Sequence, residues 1–224
     1  MAFFITKTSE GTYMPTVGGF SVLVIIMFAT LLLGNWIFNK GKSLNAKQIA
    51  FSAVAVALAM VTSNIKLVKM PYGGSVTLFS MLFIVMIGYW FGLANGLSAA
   101  IAYGLLQLVI DPYIISFPQM MCDYVFAFGA LGLAGLFSKS KHGLIKGYLV
   151  GVLGRFVFSF LSGWIFFGAY AGDYGFKSGY TYSFVYNGMY IGLEALITLV
   201  ILFVPQVRRG FDSVKKMAVG EARV

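Results

Sequence analysis

Long apolar segments separated by short polar connections cover most of the chain. Several segments reach about 18 or more residues, the length a helix needs to cross a bilayer. A water-soluble domain could not bury so many of them. We predict seven membrane-spanning helices, at residues 17–39, 48–65, 77–92, 94–110, 118–137, 147–169 and 183–205. The pattern therefore indicates an all-α polytopic membrane protein.

Glycine and proline mark the breaks between these helices. The segment "FGLANG" (91–96) predicts a tight turn between the third and fourth spans. The segment "MPYGGSV" (70–76) cannot be helical throughout, because Pro71 and the paired glycines interrupt it. The first apolar run is too long for a signal peptide and no small-residue cleavage site follows it, so we predict a retained helix.

The charges lie mostly in the connections and predict the orientation of the chain. Charged residues make up only 10% of the sequence, and the formal net charge is +9 at pH 7. With the N-terminus outside, the inner segments hold Lys40, Lys42, Lys47, Lys139, Lys141, Lys146, Arg208, Arg209, Lys215, Lys216 and Arg223. The outer segments hold Lys7, Lys66, Lys69 and Lys177. This positive-inside bias predicts an extracellular N-terminus and a cytoplasmic C-terminus, and it explains the basic charge without nucleic acid as a partner.

Several classes of chemistry lack the residues they need. Cys122 is the only cysteine and His142 the only histidine, so the sequence predicts neither an internal disulfide nor a metal site. The sequence contains no G-x-x-x-x-G-K-[ST] nucleotide-binding motif and no nucleophile constellation. We therefore expect no catalytic residues and no cofactor, and we do not expect an enzyme.

One carboxylate lies inside an apolar run. Asp123 belongs to "FPQMMCDYVFAF" (117–128), about five residues or roughly 8 Å of helix rise below the predicted outer surface. A carboxylate in hydrocarbon costs several kcal/mol, so it should face the bundle interior or a wet cavity. An alternative is that Asp123 or Glu194 pairs with Arg155 and joins helices together.

Further polar and aromatic side chains, on the same span and on the sixth and seventh, are predicted at the same depth. They include Gln119, Ser159, Tyr182, Tyr186 and Asn187. A carboxylate, an amide and aromatic rings in an outward-facing pocket suit a flat, nitrogen-rich and possibly cationic ligand. For the tyrosines, the alternative is an interfacial aromatic belt.

The second predicted span carries small residues at helical spacing. In "AFSAVAVALAM" (50–60), Ala53 and Ala57 form one small-xxx-small face, and Ala55 and Ala59 form another. Such faces let a second helix approach closely, either a partner's or a neighbour within the bundle.

Taken together, these segments resemble the thiamine-specific S components of energy-coupling-factor transporters. The resemblance runs from about residue 48 to 205. It is carried by "MPYGGSVTLFSM" (70–81), "YGLLQLVI" (103–110), "FPQMMCDYVFAFGALGLAGLF" (117–137), "GRFVFSFLSGWIFFGAYA" (154–171) and "YSFVYNG" (182–188).

The resemblance implies a six-helix substrate-binding subunit that captures a vitamin outside. Its partners would be a membrane scaffold subunit and two ATPase subunits, with the scaffold docked on an Ala-xxx-Ala face. Here that face would be Ala53 and Ala57 or Ala55 and Ala59. Residues 1–47 would add an N-terminal tail, an extra transmembrane helix and a basic loop, residues 48–205 the binding domain, and residues 206–224 a basic cytoplasmic tail.

The resemblance also implies roles for individual residues. Asp123 aligns with the acid that recognises the pyrimidine, and Tyr124, Tyr182 and Asn187 align with further binding positions. The chain departs from the family at Ser159, usually histidine, and at Phe167, usually a stacking tryptophan. Thiamine is the expected ligand; another flat aromatic vitamin or precursor, or a self-sufficient proton-coupled transporter, are the alternatives.

Overall fold

The computed structural model describes residues 4–7, 13–38, 46–70 and 74–220. Its strands are β1 (Ile5–Lys7), β2 (Tyr13–Pro15), β3 (Lys66–Lys69) and β4 (Ser75–Thr77), which form two antiparallel hairpins, β1 with β2 and β3 with β4. Its helices are α1 (Val17–Phe38), α2 (Ala46–Ser63), α3 (Ser80–Phe91), α4 (Leu93–Ile110), α5 (Phe117–Phe137), α6 (Gly143–Phe167), α7 (Gly179–Phe203) and α8 (Pro205–Val219). Pro71, Lys40, Lys42 and Arg223, used in the predictions above, lie outside the described residues.

The helical membrane fold predicted from the sequence is confirmed. Five helices are long and apolar enough to cross a bilayer: α2, α4, α5, α7 and α6 with its tight continuation to Tyr174. The other two predicted spans are also apolar helices, α1 and α3. Helix α3 has 12 residues, or about 18 Å of rise, and is therefore shorter than the hydrocarbon core of about 30 Å.

Helix α3 lies at the centre of the bundle. It packs against α2, α4, α5 and α6. Every residue from Ser80 to Trp90 except Phe83 is buried. A helix that is apolar on all sides has no face suited to water, and enclosure by four neighbours explains the uniform composition of α3. The bundle core therefore forms around it.

Glycines let α4 and α5 approach closely. A Cβ atom added at Gly96 would lie 2.7 Å from the carbonyl oxygen of Gly132. Side chains larger than hydrogen would force these two helices apart, as at the small-residue contacts common between membrane helices. The turn between α3 and α4 uses Gly92 with φ of 85°, a backbone conformation that favours glycine.

The small-residue faces of α2 differ in their surroundings. Ala55 and Ala59 are 2% and 0% exposed and belong to the bundle core, whereas Ala53 and Ala57 are exposed. The predicted docking role is therefore corrected for Ala55 and Ala59, because internal packing already covers that face. For the exposed face, formed by Ala53 and Ala57, docking of a partner helix remains a hypothesis.

Residues predicted as a basic tail form helix α8, which packs on α2 and α3. Lys215 lies over the ring of Tyr89, with its Nζ 3.7 Å from the ring centroid, and also donates to the carbonyl of Ser138. The hydroxyl of Tyr89 donates to Asp212 at 3.2 Å. With Ala218 only 1% exposed, α8 covers one end of the bundle.

Glu194 caps the N-terminus of α3 from helix α7. Its Oε2 accepts from the backbone nitrogen and the hydroxyl of Thr77, at 3.2 and 2.6 Å. Its Oε1 accepts from the hydroxyl of Ser80 at 3.2 Å and from the backbone nitrogen of Met81 at 3.1 Å. A carboxylate at a helix N-terminus satisfies donors that have no partner within the helix, and it interacts favourably with the helix dipole.

Glu194 is consequently not the partner of Arg155, which was one alternative left open by the sequence. The four donors surround a side chain that is only 3% exposed, so the carboxylate is satisfied without a cation. Within the described residues, the one ion pair joins Lys66 and Asp111.

We predict that Glu194→Ala lowers the free energy of unfolding by about 3 kcal/mol, because it leaves buried donors at the start of α3 unpaired. Thermal and denaturant unfolding in detergent would measure the change. Glu194→Gln, which keeps an acceptor but removes the charge, should lose less. Wild-type stability in Glu194→Ala would contradict the capping role.

Candidate functional site

A cavity of about 180 Å³ opens at one end of the bundle, beside the β3–β4 hairpin and the 111–117 connection. Helices α2 to α7 all contribute to its lining. This volume can hold a small organic molecule rather than a single water. All eight side chains predicted as ligand-binding line it: Gln119, Asp123, Tyr124, Ser159, Phe167, Tyr182, Tyr186 and Asn187.

A local widening of α5 places Asp123 in this wall. Residues Met121–Phe126 form a π-helical turn, which follows a first turn capped by the side chain of Ser116. Such wide turns redirect side chains and are frequent at functional sites. The Nε2 of Gln119, one turn earlier, donates to Oδ2 of Asp123 at 2.7 Å, which fixes the carboxylate beside the cavity.

Gln119 also holds the 111–117 connection. Its Oε1 accepts from the backbone nitrogen of Ile115 at 3.0 Å, and its Nε2 donates to the carbonyl of Tyr113 at 3.1 Å. The side chain is only 1% exposed. Gln119 therefore supports both the acid and the backbone next to it, in addition to lining the cavity.

Tyr124 performs a similar bridging role. Its hydroxyl accepts from the backbone nitrogen of Tyr113 and donates to the carbonyl of Asp111, both at 2.9 Å. The phenol oxygen therefore makes both of these hydrogen bonds to the backbone of the 111–117 connection. The side chain of Tyr124 contributes to the cavity as part of a fixed wall.

Aromatic rings line the side of the cavity formed by α6 and α7. Tyr182 stacks on Tyr174 with ring centroids 5.5 Å apart and lies 5.5 Å from Tyr186. The hydroxyl of Tyr186 accepts from the backbone nitrogen of Gly74 in the hairpin at 3.2 Å. Phe167 lies 5.9 Å from Tyr113 of the 111–117 connection. The rings therefore form a connected cluster, which disfavours the alternative of an isolated interfacial belt for these residues.

Asn187 is held within α7 and faces α6. Its Nδ2 donates to the carbonyl and hydroxyl of Ser183 at 2.9 and 3.1 Å, and its Oδ1 accepts from the hydroxyl of Tyr190 at 3.0 Å. Gly163 of α6 permits this arrangement, because an added Cβ would clash with Ser183 and lie 2.8 Å from Nδ2 of Asn187. Ser159, one turn from Gly163, also lines the cavity.

Arg155 lines the same cavity one helical turn from Ser159. Its guanidinium carbon lies 4.3 Å from the ring centroid of Phe128, a cation–π contact. Throughout the part of the chain that the structure describes, the guanidinium group makes no hydrogen bond or ion pair. The alternative pairing of Asp123 with Arg155 is therefore absent, and the cavity has an acid and a base at separate places.

An ion pair lies at the margin of the cavity. Lys66 of β3 donates from Nζ to Oδ2 of Asp111 at 3.1 Å, with the two side chains 30% and 70% exposed. The bond joins the hairpin to the C-terminal end of α4. Because both groups are solvated, we expect it to contribute little stability.

Several lining residues were not assigned to the binding site from the sequence. Gln107 donates to the hydroxyl of Tyr103 at 2.6 Å and to that of Ser63 at 2.9 Å, which forms a polar wall between α2 and α4. The signal for Gln107 and Arg155 is a polar residue inside an apolar span. Tyr190 gave no such signal, since an aromatic residue is ordinary in a membrane helix.

Comparison with known proteins confirms the resemblance. The family model described as "Thiamine transporter protein (Thia_YuaJ)" matches residues 49–211. The "Thiamine transporter ThiT" of Bacillus subtilis (strain 168) is 33% identical over 138 residues, covering 55% of this chain and 71% of its own. The solved structure of ThiT from Listeria monocytogenes has a TM-score of 0.56 at 23% identity, covering 71% of this chain and 96% of its own, and shows a shared fold.

We predict that Gln119→Met lowers the free energy of unfolding by about 2–3 kcal/mol, because three hydrogen bonds of a buried amide are lost. Unfolding in detergent would measure it. Gln206→Met, the same change at an exposed position of α8, is the control and should be nearly neutral. Equal stability of the two variants would contradict the bridging role of Gln119.

Proposed function

The chain belongs to the thiamine transporter protein family, and from this premise we propose that it is the substrate-binding subunit of an energy-coupling-factor-type uptake system for thiamine. It is a multi-pass membrane protein with apolar helices that can cross a bilayer. In the proposed orientation, the N-terminus and the cavity lie outside and the C-terminus lies in the cytoplasm. The subunit itself would bind and deliver the ligand without a catalytic step.

The observation that carries this proposal is the carboxylate of Asp123 in a cavity within an apolar bundle. Thiamine has an aminopyrimidine, whose amine donates hydrogen bonds, and a positively charged thiazolium ring. A half-buried carboxylate held by Gln119 offers acceptors and a counter-charge to such a ligand. The cost of placing the acid at membrane depth is then offset when the ligand binds.

The aromatic cluster supplies the second requirement. Tyr182, Tyr186 and Phe167 offer ring faces to a flat cation, which stacking and cation–π attraction would hold. Asn187 is oriented by Ser183 and Tyr190, so it would meet the ligand at the α6–α7 wall. Arg155 provides donors at a place separate from Asp123, so it would meet an acceptor such as a ring nitrogen.

A related flat ring compound is the second candidate ligand. Ser159 is shorter than the histidine usual in the family, and Phe167 replaces a tryptophan. Both line the cavity, so both substitutions alter the space and the donors that a ligand meets. Calorimetry with thiamine, its pyrimidine and thiazole precursors and other B vitamins would rank the two candidates.

The energy for uptake would come from partner proteins. The sequence contains no nucleotide-binding motif, so ATP hydrolysis would belong to two ATPase subunits joined by a membrane scaffold. Ala53 and Ala57 form the exposed small-residue face of α2 on which a scaffold helix would dock. A proton-coupled mechanism through Asp123, Arg155 and Glu194 has less support, because four donors already surround the Glu194 carboxylate.

We predict that Asp123→Asn weakens thiamine binding by at least about 1.5 kcal/mol, or roughly tenfold, because a charge-assisted hydrogen bond is lost. Isothermal titration calorimetry on purified protein would measure it. Asp173→Asn, the same change on an exposed residue, is the control and should bind as wild type does. Undiminished affinity in Asp123→Asn would remove the main support for the proposed site.

We also predict that Ala53→Leu or Ala57→Leu disrupts assembly with the scaffold and ATPase subunits while thiamine affinity stays at the wild-type value. A bulky side chain prevents close helix approach on that face but lies outside the cavity. Co-purification and calorimetry would test the two parts. Val54→Phe, a bulky change at another exposed position of α2, is the control and should leave assembly intact. Intact assembly in both leucine variants would exclude this docking face.

A further inference from the structure

The N-terminal brace, defined here as residues 4–7 and 13–38, lies outside the region matched by the family model. It comprises the β1–β2 hairpin and α1. Helix α1 packs along α4, and β2 meets the 111–117 connection. This N-terminal element, which the family model does not cover, thus contacts the wall of the candidate binding site.

The hairpin and α1 fold as one unit. The backbone nitrogen of Thr16 donates to the carbonyl of Phe4 at 3.0 Å, and the hydroxyl of Thr16 accepts from the backbone nitrogen of Gly19 at 3.2 Å. A Cβ atom at Gly19 would clash with the carbonyl of Phe4, so glycine lets the hairpin lie against the start of the helix. Helix α1, packed on α4, therefore anchors the hairpin.

A backbone hydrogen bond joins this unit to the cavity wall. The nitrogen of Tyr13 donates to the carbonyl of Ile114 at 2.6 Å, and the two residues form an antiparallel bridge. Ile114 is only 6% exposed. The bond is therefore sheltered, and it adds a strand-like partner to a connection that the side chains of Gln119 and Tyr124 also hold.

Two further hydrogen bonds link the neighbourhood of Ile114 to the carboxylate of Asp123. The residue after Ile114 donates its backbone nitrogen to Oε1 of Gln119 at 3.0 Å, and Nε2 of Gln119 donates to Asp123 at 2.7 Å. On the other side of Ile114, Tyr113 contacts both Gln119 and the ring of Phe167. Any displacement of the connection would therefore reach the acid and one aromatic wall together.

We propose that the N-terminal brace positions the ligand-binding wall, acting through Tyr13 and Ile114 on Gln119 and Asp123. The ligand part of this inference rests on the proposed function; the ordering of the wall does not. The brace keeps the 111–117 connection in the conformation that holds the Asp123 carboxylate, so it slows ligand release. Tyr13 is a positioning residue, because it does not line the cavity described above.

A proline substitution isolates the bond. Tyr13→Pro removes the N–H donor, whereas Tyr13→Ala removes the same side chain and keeps the donor. We expect thiamine to dissociate about three- to tenfold faster from Tyr13→Pro than from Tyr13→Ala, with similar association rates, because one sheltered hydrogen bond is lost. Stopped-flow or surface-based kinetics on the full chain would measure both rates. Equal release from the two variants would overturn the proposal.

Hydrogen exchange decides the structural part without any ligand. Tyr13→Pro should raise amide exchange in peptides covering 111–120 by a similar factor, while Tyr13→Ala and peptides from α3 should remain as in wild type. Unchanged exchange at 111–120 would overturn the proposal. Failure of wild-type protein to bind thiamine would instead refute the proposed function, and the brace would then be judged on this exchange alone.

A crosslink tests whether a stronger link between residues 13 and 114 slows ligand release. In a Cys122→Ala background, Tyr13→Cys with Ile114→Cys places two thiols on bridged residues, so a disulfide can reinforce the backbone hydrogen bond, which both substitutions keep. The oxidised protein should release thiamine more slowly than the same protein after reduction, which serves as its own control. Release that is unaffected by oxidation, with the crosslink verified by mass spectrometry, would contradict the positioning role.

Discussion

A carboxylate within an apolar bundle must be supplied with donors, and two such carboxylates determine how this protein is organised. Glu194 receives two hydrogen bonds from Thr77 of β4 and two from the start of α3, and is satisfied by the fold. Asp123 receives one, from Gln119, among the described residues, and lines a cavity. The difference separates a structural acid from one that is available to a ligand, because burial without full satisfaction is costly.

The helical membrane fold and the residues of the cavity could be predicted because membrane burial leaves strong signals in a sequence. Apolar runs predicted the helices, and the polar residues within them predicted a candidate site whose members do line one cavity. The partner of Glu194 could not be predicted in this way. It depends on where α3 begins, at Ser80 rather than at residue 77, and on Phe79 with its φ of 63°, which only the folded backbone shows.

Which side of a helix faces inward was also beyond the sequence. The two alanine faces of α2 have the same pattern, and only the packing of α3 and α4 against Ala55 and Ala59 distinguishes them. Helix α8 was not predicted, because its charged residues suggested a basic tail. Phe211, Val214 and Ala218 nevertheless form an apolar stripe that packs on the core.

The cap at Glu194 has a mechanical consequence. On the same helix, α7, the hydroxyl of Tyr186 accepts a hydrogen bond from the backbone nitrogen of Gly74. Hydrogen bonds to α7 therefore hold both ends of the segment from Gly74 to the start of α3. A swing that separated α7 from this segment would have to break all of these bonds at once. The segment and α7 should therefore travel as a single rigid body. An entry route into the cavity is then easiest to open between the hairpin and the end of α4, where the solvated pair of Lys66 and Asp111 can separate at small cost.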